Sequence, residues 1–392
     1  MSWLYQERHV SSGWFNKLRA TESRFRGRRW LFWSLTIIFL AEAATAYGVY
    51  AKLTGNVRHI EVTREDLGNA RPSKAPTAAL NILVVGSDQR DGSAGGRTDT
   101  IMLVHLSAKR NDTAVISFPR DSLVQLPACR SQEGLPGQRR HRGMINASFS
   151  FGGIGCTWKT IETLTGIHID HFVKVDFTGF TEMVDAIGGV DLCIPVAIRD
   201  KYVQLDLPAG WQTLQGEEAL GYVRARYSLG DGSDIGRIQR QQIFIAAMAK
   251  KAISAETLSN PFRLFRFLDA ATKSVTVDSG LTPGVMRELA LTARGLSAGQ
   301  IHFVTTPWRY SAAYSGRVEW RQGPAKKLFR LIAADQPFPG STVNDTTPRS
   351  KTDTTLSARA AGMAASITVP HRSEPPTTPH SSGPCAPGWI GR

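Results

Sequence analysis

The longest apolar stretch of the chain, WLFWSLTIIFLAEAATAYGVYA at residues 30–51, contains Glu42 as its only charged residue. A bilayer core of ~30 Å needs roughly 20 helical residues, so this stretch predicts one membrane-spanning helix. Residues 1–29 hold seven basic side chains against two acidic ones, which predicts a cytoplasmic N-terminus and an extracytoplasmic chain after residue 52. A cleaved signal peptide is the alternative, which the length of the basic flank disfavours.

Short β-branched runs follow, and they alternate with helical patterns. The runs predict buried strands at 81–86, 100–106, 113–118 and 171–177. Apolar residues at helical spacing predict helices near 157–165, 177–187, 216–223, 236–251 and 283–295. Strands that alternate with helices predict an α/β fold, with a mixed central sheet sandwiched by helices.

Composition divides the chain into five segments. We predict a basic cytoplasmic segment at 1–29, the transmembrane helix at 30–51, a linker at 52–79, an extracytoplasmic domain at 80–337 and a tail at 338–392. The tail is rich in Pro, Ser and Thr and has few large apolar residues, which is typical of disorder. The whole chain is 42% hydrophobic and 20% charged, which excludes a wholly disordered or collagenous protein.

The net charge of +14 raises the question of a nucleic-acid partner. Part of the excess lies in the basic segment 1–29, and the remainder is richer in Arg than in Lys. The planar guanidinium of Arg suits phosphate and carboxylate oxygens. Because the predicted topology places the main domain outside the cytoplasm, we expect no nucleic-acid partner.

The four cysteines are too few for a disulfide-rich miniprotein. Cys129 and Cys156 bracket a basic loop, and an extracytoplasmic location permits a disulfide between them. The sequence has no CxxC spacing and no Cys/His cluster, so we expect no structural zinc. Cys193 lies in the apolar run VDLCIP and is predicted to be a buried thiol, and the sequence indicates no partner for Cys385.

Two acidic residues flank a Gly-rich loop after the first predicted strand. Asp88 lies in GSDQRDG directly after that strand, and Asp99 lies in RTDT just before the next one. Loops at the carboxyl ends of strands commonly build sites in open α/β sheets. Two carboxylates with room for water and phosphate oxygens suit Mg²⁺. The alternative is that both Asp residues cap turns, and without further motifs the two residues favour this alternative.

Arginines lie beside the same loops and near the start of a predicted helix. Arg237, Arg240 and Gln241 share one helix face in the first turns, where the helix dipole favours an anion. The alternative is a solvated basic face. Seven guanidiniums lie beside loops that also hold carboxylates: Arg90, Arg97, Arg120, Arg224, Arg226, Arg237 and Arg240. Such a set would accept a diphosphate and stabilise charge as a P–O bond breaks. No P-loop, GxSxG or HExxH motif is present.

Seven motifs occur in order from about residue 80 to 251: NILVVGSDQR, RTDTIMLVHL, SFPRDS, INASFSFGG, TLTGIHIDHFVKVDFTGFTEMVDAIGGVDL, LQGEEALGYVRAR and GDGSDIGRIQRQQ. In this order they resemble the LytR-CpsA-Psr family of bacterial cell-wall proteins. The resemblance implies a Mg²⁺-dependent enzyme at the cytoplasmic membrane. It would move a glycopolymer or its linkage unit from a polyprenyl diphosphate carrier to peptidoglycan, through a phosphodiester. The insertion that holds Cys129 is similar to the one in actinobacterial members of the family. This likeness implies that the transferred polymer would be arabinogalactan or a teichoic-type polymer.

The resemblance also implies roles for single residues. Asp88 and Asp99 match the acidic residues that hold Mg²⁺. The diphosphate-binding positions are matched by Arg97, Arg120, Arg224, Arg226 and Arg237, with Gln241 beside them and Arg90 and Arg240 in the same motifs. Asp99 or Asp121 could take the proton of the acceptor hydroxyl. The candidate catalytic residues are therefore Asp88, Arg97, Asp99, Arg120 and Asp121.

Two other functions stay open at this point. One is a pyrophosphatase, in which water replaces the sugar acceptor in the same site. The other is a membrane-attached regulator or binding protein of the cell envelope. A regulator would not need the Asp and Arg residues to act together, so Asp99→Ala and Arg224→Ala would leave its function intact.

Overall fold

A computed structural model of the chain describes residues 13–87, 98–131, 134–226, 234–296 and 300–337, without the side chains of 13–29, 31 and 294. Three of the predicted site residues, Asp88, Arg90 and Arg97, lie outside the described residues, and so does the predicted tail.

The described residues form helices and strands in the following chain order. The helices are α1 (Gly13–Asn56), α2 (Arg64–Leu67), α3 (Ala147–Thr165), α4 (Phe177–Ala186), α5 (Gly216–Arg224), α6 (Asp234–Ala252), α7 (Ala255–Leu258), α8 (Pro261–Ser274), α9 (Pro283–Gly295) and α10 (Gln322–Ala333). The strands are β1 (Arg58–Ile60), β2 (Leu80–Ser87), β3 (Thr98–Leu106), β4 (Thr113–Ser117), β5 (Leu123–Leu126), β6 (His141–Met144), β7 (His171–Asp176), β8 (Val190–Ile194), β9 (Ile198–Asp200), β10 (Leu205–Leu207), β11 (Gly210–Leu214), β12 (Val275–Asp278), β13 (Ile301–Thr305), β14 (Trp308–Tyr310) and β15 (Val318–Trp320).

The chain separates into two compact units, with the boundary between Gly55 and Asn56. The first unit contains most of α1. Within this helix, Phe32–Asn56 is long and apolar enough to cross a membrane, and none of it is buried. Its length and composition make it a candidate anchor that overlaps the predicted span at 30–51.

Seven strands form a mixed sheet in the order β1-β12-β7-β2-β3-β4-β13. The four strands predicted from apolar runs are β7, β2, β3 and β4, which lie side by side at its centre. β3 is antiparallel to both β2 and β4, whereas β7 is parallel to β2 and β13 is parallel to β4. Strands covered on both faces read as continuous apolar runs, which explains why these four were detected.

Helices cover both faces of the sheet, and this confirms the predicted α/β sandwich. On one face, Leu83 and Val85 of β2 pack in a core with Trp158 of α3 and Phe329 of α10. On the other face, Met102, Val115 and Phe303 pack with residues of α6. Neighbouring side chains of a strand point to opposite faces, so the sheet supplies both cores at once.

The segment 52–79, which the sequence predicts to be a linker, contains two elements of the fold. Strand β1 pairs in parallel with β12 and forms one edge of the sheet. Helix α2 begins after Thr63, whose side chain forms a capping box with Asp66. Strand β1 has the sequence Arg-His-Ile, with a single apolar residue, so it produces no periodic signal. Pairing with a distant strand, rather than local propensity, makes it a strand.

The structure joins Cys129 to Cys156 in a disulfide. Gly152 packs directly against it, because a Cβ at this position would lie only 2.5 Å from Cys156 Cβ. Cys193 of β8 is also disulfide-bonded, so the prediction of a free buried thiol is wrong. The apolar neighbours of Cys193 predict its burial correctly, but burial does not distinguish a thiol from a disulfide.

Replacing Cys129 and Cys156 together by Ser is expected to lower the melting temperature. The bridge joins residues 27 positions apart, and loop closure of this length stabilises the fold by about 3 kcal/mol. The melting temperature should therefore fall by roughly 5–10 °C, as measured by circular dichroism on the full chain in detergent. Equal melting temperatures for the two proteins would contradict a stabilising role.

Candidate functional site

Three strand ends and the start of one helix meet at the same end of the central strands. Because β3 runs antiparallel to β2 and β4, its amino end lies beside their carboxyl ends. Asp99 is the second residue of β3, and Arg120 and Asp121 follow β4 after Phe118 and Pro119. Helix α6 begins beside them at Asp234. The sheet register therefore gathers residues from separate motifs of the sequence.

Asp99, Arg120, Asp234 and Arg237 form a charge cluster at this end of the strands. We call it the buried charge cluster after its central pair, Asp234 and Arg237, which is buried, whereas Asp99 and Arg120 are each 17% exposed. The Arg120 guanidinium donates from Nη1 to Asp99 Oδ1, and its Nε lies 3.4 Å from Asp234 Oδ1. Arg237 Nη2 lies 2.5 Å from Asp234 Oδ1 and also donates to the Asp99 carbonyl oxygen at 3.0 Å. The Arg120 backbone N–H donates to Asp234 Oδ2 at 3.2 Å. Asp234 thus holds the loop after β4 and the first turn of α6 together.

Burial sets the electrostatics of the Asp234–Arg237 pair, whose side chains are 4% and 3% exposed. Burial raises the pKa of the Asp234 carboxyl, and the positive charges of Arg237 and Arg120 oppose that rise. Burial likewise lowers the pKa of the Arg237 guanidinium, and the Asp234 carboxylate opposes the fall. Each of these two charges is the closest counter-charge of the other, so loss of either leaves its partner buried and less compensated.

A second pair of arginines lies around Asp121. Arg226 Nη2 is 3.6 Å from Asp121 Oδ2, and Arg317 Nη1 is 3.4 Å from Asp121 Oδ1. Arg226 and Arg317 are more exposed than Arg237, at 24% and 38%. Together with the buried charge cluster, this gives four guanidiniums and three carboxylates, which leaves the described part of the site positively charged.

Arg240 and Gln241 contact the backbone at the end of α5. Arg240 Nη2 donates to the Ala225 carbonyl oxygen, and Gln241 Nε2 donates to the Val223 carbonyl oxygen at 3.2 Å. Arg226 follows Ala225 in the sequence, and its backbone N–H donates to Asp200 Oδ2 at 3.1 Å. These contacts fix the position of Arg226. In the structure, Arg240 and Gln241 therefore hold the backbone segment that carries Arg226.

Arg224 lies apart from the described carboxylates. Its side chain is exposed and stacks on the ring of Phe177, with 4.9 Å from Cζ to the ring centroid. The end of helix α5 accounts for the separation. Arg224 is the last residue of α5, whereas Arg226 follows the C-cap residue Ala225, whose φ of −54° and ψ of 138° are no longer helical.

The structure thus gathers Asp99, Arg120, Asp121, Arg226 and Arg237 of the predicted site residues. Sequence reasoning did not assign Asp234 and Arg317. The spacing of Asp234 three residues before Arg237 was a usable signal, because such residues share a helix face. Arg317 gave no signal, since it lies in the loop between β14 and β15, almost 200 residues from Asp121.

The predicted Mg²⁺ can be tested against Asp99, because the other predicted ligand, Asp88, lies outside the described residues. In the part of the chain that the structure describes, no group of three or more His, Cys, Asp or Glu side chains could hold a metal ion. Mg²⁺ is usually bound by one or two carboxylates together with waters and substrate phosphates. The partly exposed carboxylate of Asp99, beside the guanidiniums of Arg120 and Arg237, fits such a shared site.

The fold and the site motifs can be compared with known proteins. The model of the LytR_cpsA_psr family matches residues 47–329. The chain belongs to the LytR-CpsA-Psr family. The match extends on both sides of the motif region at 80–251 and includes β1, which the sequence analysis assigned to a linker.

Two curated relatives and one solved structure illustrate the similarity. A protein of Corynebacterium glutamicum named "Probable cell wall biosynthesis protein LcpB" is 36% identical over 65% of this chain and 61% of its own length. A Bacillus cereus protein named "Polyisoprenyl-teichoic acid--peptidoglycan teichoic acid transferase TagU" is 28% identical over 59% of this chain and 73% of its own. The structure titled "LytR-Csp2A-Psr enzyme from Actinomyces oris" matches with a TM-score of 0.54 and 24% identity, over 70% of this chain and 95% of that one. The chain therefore spans under two thirds of the corynebacterial relative, and the structural match shows the shared fold.

Proposed function

We propose that this member of the family transfers a glycopolymer or its linkage unit from a polyprenyl diphosphate carrier to peptidoglycan, forming a phosphodiester. The observation that carries the proposal is the buried charge cluster at the end of the central strands. Burying paired charges costs folding free energy because the charges leave water. Such clusters, with additional guanidiniums beside them, are typical of sites for binding or chemistry. The name of the Bacillus cereus relative, a teichoic acid transferase, supports the same reaction class.

The arginines bind and orient the donor diphosphate in this proposal. Arg226 and Arg317, beside Asp121, are exposed enough to donate to phosphate oxygens, and Arg120 lies beside the buried Asp234. Guanidiniums held by carboxylates are already oriented before substrate binds, so they stabilise phosphate charge without reorganising. Arg224, which is exposed, and Arg90 and Arg97, which lie outside the described residues, complete the proposed diphosphate-binding set.

Asp99, together with Asp88, would hold Mg²⁺, which supplies Lewis-acid stabilisation of the phosphate oxygens when it is bound. The acceptor sugar hydroxyl must lose a proton to attack. Asp99, whose side chain is 17% exposed, and Asp121, whose side chain is 10% exposed, are the two carboxylates that can take it. Asp234 is too deeply buried for this role, and its oxygens already face Arg120 and Arg237.

The test gives the full chain, in detergent micelles, a labelled polyprenyl diphosphate glycan, Mg²⁺ and cell-wall acceptor. Label is followed into the wall, the aqueous phase and the lipid. We expect label on the wall only with Mg²⁺ present. Asp99→Ala should abolish this transfer. Asp206→Ala is the matched control, because Asp206 is an exposed acid paired with Arg199 on the β9–β10 hairpin.

Two other outcomes contradict the transferase. Label released into water would indicate the pyrophosphatase. Label that stays on the lipid, in separate assays with donors that carry different polymers, would indicate a regulator or binding protein. Transfer that is equal with and without Mg²⁺ would remove the metal from the proposal and leave the guanidiniums as its basis.

A further inference from the structure

The hairpin of β14 and β15 lies directly beside Asp121. Val318 of β15 forms a parallel bridge with Ser122, and its backbone N–H donates to the Asp121 carbonyl oxygen at 3.3 Å. Trp320 Nε1 donates to Ser122 Oγ at 3.0 Å. Val318 and Trp320 are buried, so one face of the hairpin is fixed against the rest of the domain.

The opposite face of the hairpin carries a further pair of guanidiniums around Glu319. Side chains two residues apart on a strand share a face, so Glu319 lies on the face of Arg317, about 7 Å further along β15. Arg309 lies opposite Glu319 in the strand register, and its Nη2 donates to Glu319 Oε2 at 3.2 Å. Arg142 of β6 donates from Nη2 to Glu319 Oε1 at 2.6 Å. We call Arg142 and Arg309 the outer arginine pair.

The outer arginine pair repeats the arrangement at Asp121, where Arg226 and Arg317 lie around one carboxylate. One arginine would neutralise Glu319, so the second adds a positive charge that repels the first until an anion binds. Glu319 is 18% exposed, whereas its two arginines are 57% and 69% exposed. Each guanidinium has five N–H donors, and Glu319 engages one nitrogen of each, so donors remain for an anionic ligand.

The contacts of residues 120–122 indicate which substrate reaches the outer arginine pair. Arg120 contacts the buried charge cluster, whereas Ser122 bridges to the hairpin. Asp121 lies between them, and it is one of the two carboxylates that can take the proton of the acceptor hydroxyl. The attacking and leaving oxygens of a phosphoryl transfer lie on opposite sides of the phosphorus. An acceptor whose hydroxyl lies against Asp121 therefore extends toward the hairpin, away from the polyprenyl phosphate.

We propose that the outer arginine pair binds a carboxylate of the peptidoglycan acceptor. Peptidoglycan carries carboxylates on its peptide stems, and planar guanidiniums match the geometry of carboxylate oxygens. This contact positions the acceptor so that one of its sugar hydroxyls reaches Asp121, and Glu319 orients both guanidiniums before the acceptor binds. The proposal rests on the proposed transferase function and adds the acceptor side of the site.

The test measures transfer by the full chain, in detergent micelles, at varied concentrations of peptidoglycan. Arg142→Gln combined with Arg309→Gln removes both charges of the outer arginine pair. The KM for peptidoglycan should rise at least about fivefold, because two exposed charge contacts are lost, while kcat and the KM for the lipid donor stay unchanged. Arg110→Gln combined with Arg199→Gln is the matched control, because each of these arginines is paired with one exposed acid elsewhere on the domain.

A modified acceptor tests the ligand chemistry. Peptidoglycan whose carboxylates have been converted to amides should raise the KM of the unmodified chain to that of the double variant, and it should leave the KM of the double variant unchanged. Equal KM values of the unmodified chain and the double variant for native peptidoglycan would overturn the proposal. A rise confined to the KM for the lipid donor would also overturn it, because the outer arginine pair would then bind the donor glycan.

A binding measurement separates this proposal from the transferase function. Cosedimentation with insoluble peptidoglycan gives a Kd without any transfer, and the Kd of the double variant should rise by the same factor as the KM. Absence of transfer by the unmodified chain, with this rise in Kd, would refute the transferase alone. Transfer by the unmodified chain, with equal Kd values of the two proteins, would refute the acceptor contact alone.

Discussion

Arg120→Lys is expected to lower the rate of polymer transfer by at least about 100-fold, the cost typical of losing one oriented donor in a charge-stabilising site. Arg120 contacts two carboxylates at once, Asp99 through Nη1 and Asp234 through Nε. Lysine keeps the positive charge, but its single ammonium cannot reproduce two separate, planar N–H directions. The loss should therefore come from geometry, with the net charge of the site unchanged.

The matched control is Arg110→Lys, which makes the same change at the other end of β3. Arg110 follows β3 in the turn to β4 and pairs with the exposed Glu288. The nine residues of β3 separate the two positions by about 30 Å. Transfer by Arg110→Lys should equal that of the unmodified chain in the assay described above. Full transfer by Arg120→Lys would show that charge alone suffices and that the observed contacts are not required.

Asp234→Asn is expected to produce the largest loss of stability. The substitution leaves Arg237, which is 3% exposed, without its closest counter-charge. Removing one partner of a buried ion pair typically costs 3–5 kcal/mol, because the remaining charge stays buried. The melting temperature should fall by roughly 6–15 °C, and transfer should fall with it because Arg120 loses one of its two carboxylates.

A double variant separates an uncompensated charge from a simple loss of contacts. Asp234→Asn combined with Arg237→Gln removes both charges, so we expect it to recover most of the melting temperature lost by Asp234→Asn alone. Transfer should not recover. Asp206→Asn, at the exposed surface, controls for the chemical change itself. Arg237→Gln alone completes the comparison. If the melting-temperature loss of the double variant equals the sum of the losses of Asp234→Asn and Arg237→Gln, the two residues are independent and the argument from burial fails.

The sequence predicted the centre of the sheet and missed its edges for one physical reason. β2 and β3 are continuous apolar runs because both faces of each strand are buried, and the structure places them within two residues of the predicted bounds. β1 is polar, and its pairing with β12 makes it a strand. The 44-residue helix α1 likewise begins before and ends after the apolar stretch that predicted it.

The site shows the same division between local and long-range information. Arg120 and Arg237 were identified because they lie in compact motifs that combine Arg with Asp and Gly. Arg224 and Arg226 read as one pair, but helix α5 ends between them: Arg224 stays on the helix and stacks on Phe177, whereas Arg226 lies beyond the C-cap Ala225. Arg317 reaches Asp121 only because Val318 forms a bridge to Ser122, a contact that no local pattern encodes.

The pairing of β1 with β12 also determines the order in which the domain can fold. Arg58 of β1 pairs with Thr276, so its partner is synthesised roughly 220 residues later, or some 10–40 s at bacterial elongation rates. During this interval β1 has no native strand to pair with, and its N–H and C=O groups are open to other strands. The charged Arg58 and the short length of β1 reduce that hazard. Because the closing contact joins distant residues, the edge of the sheet next to Asn56 should form late, after the central strands have paired.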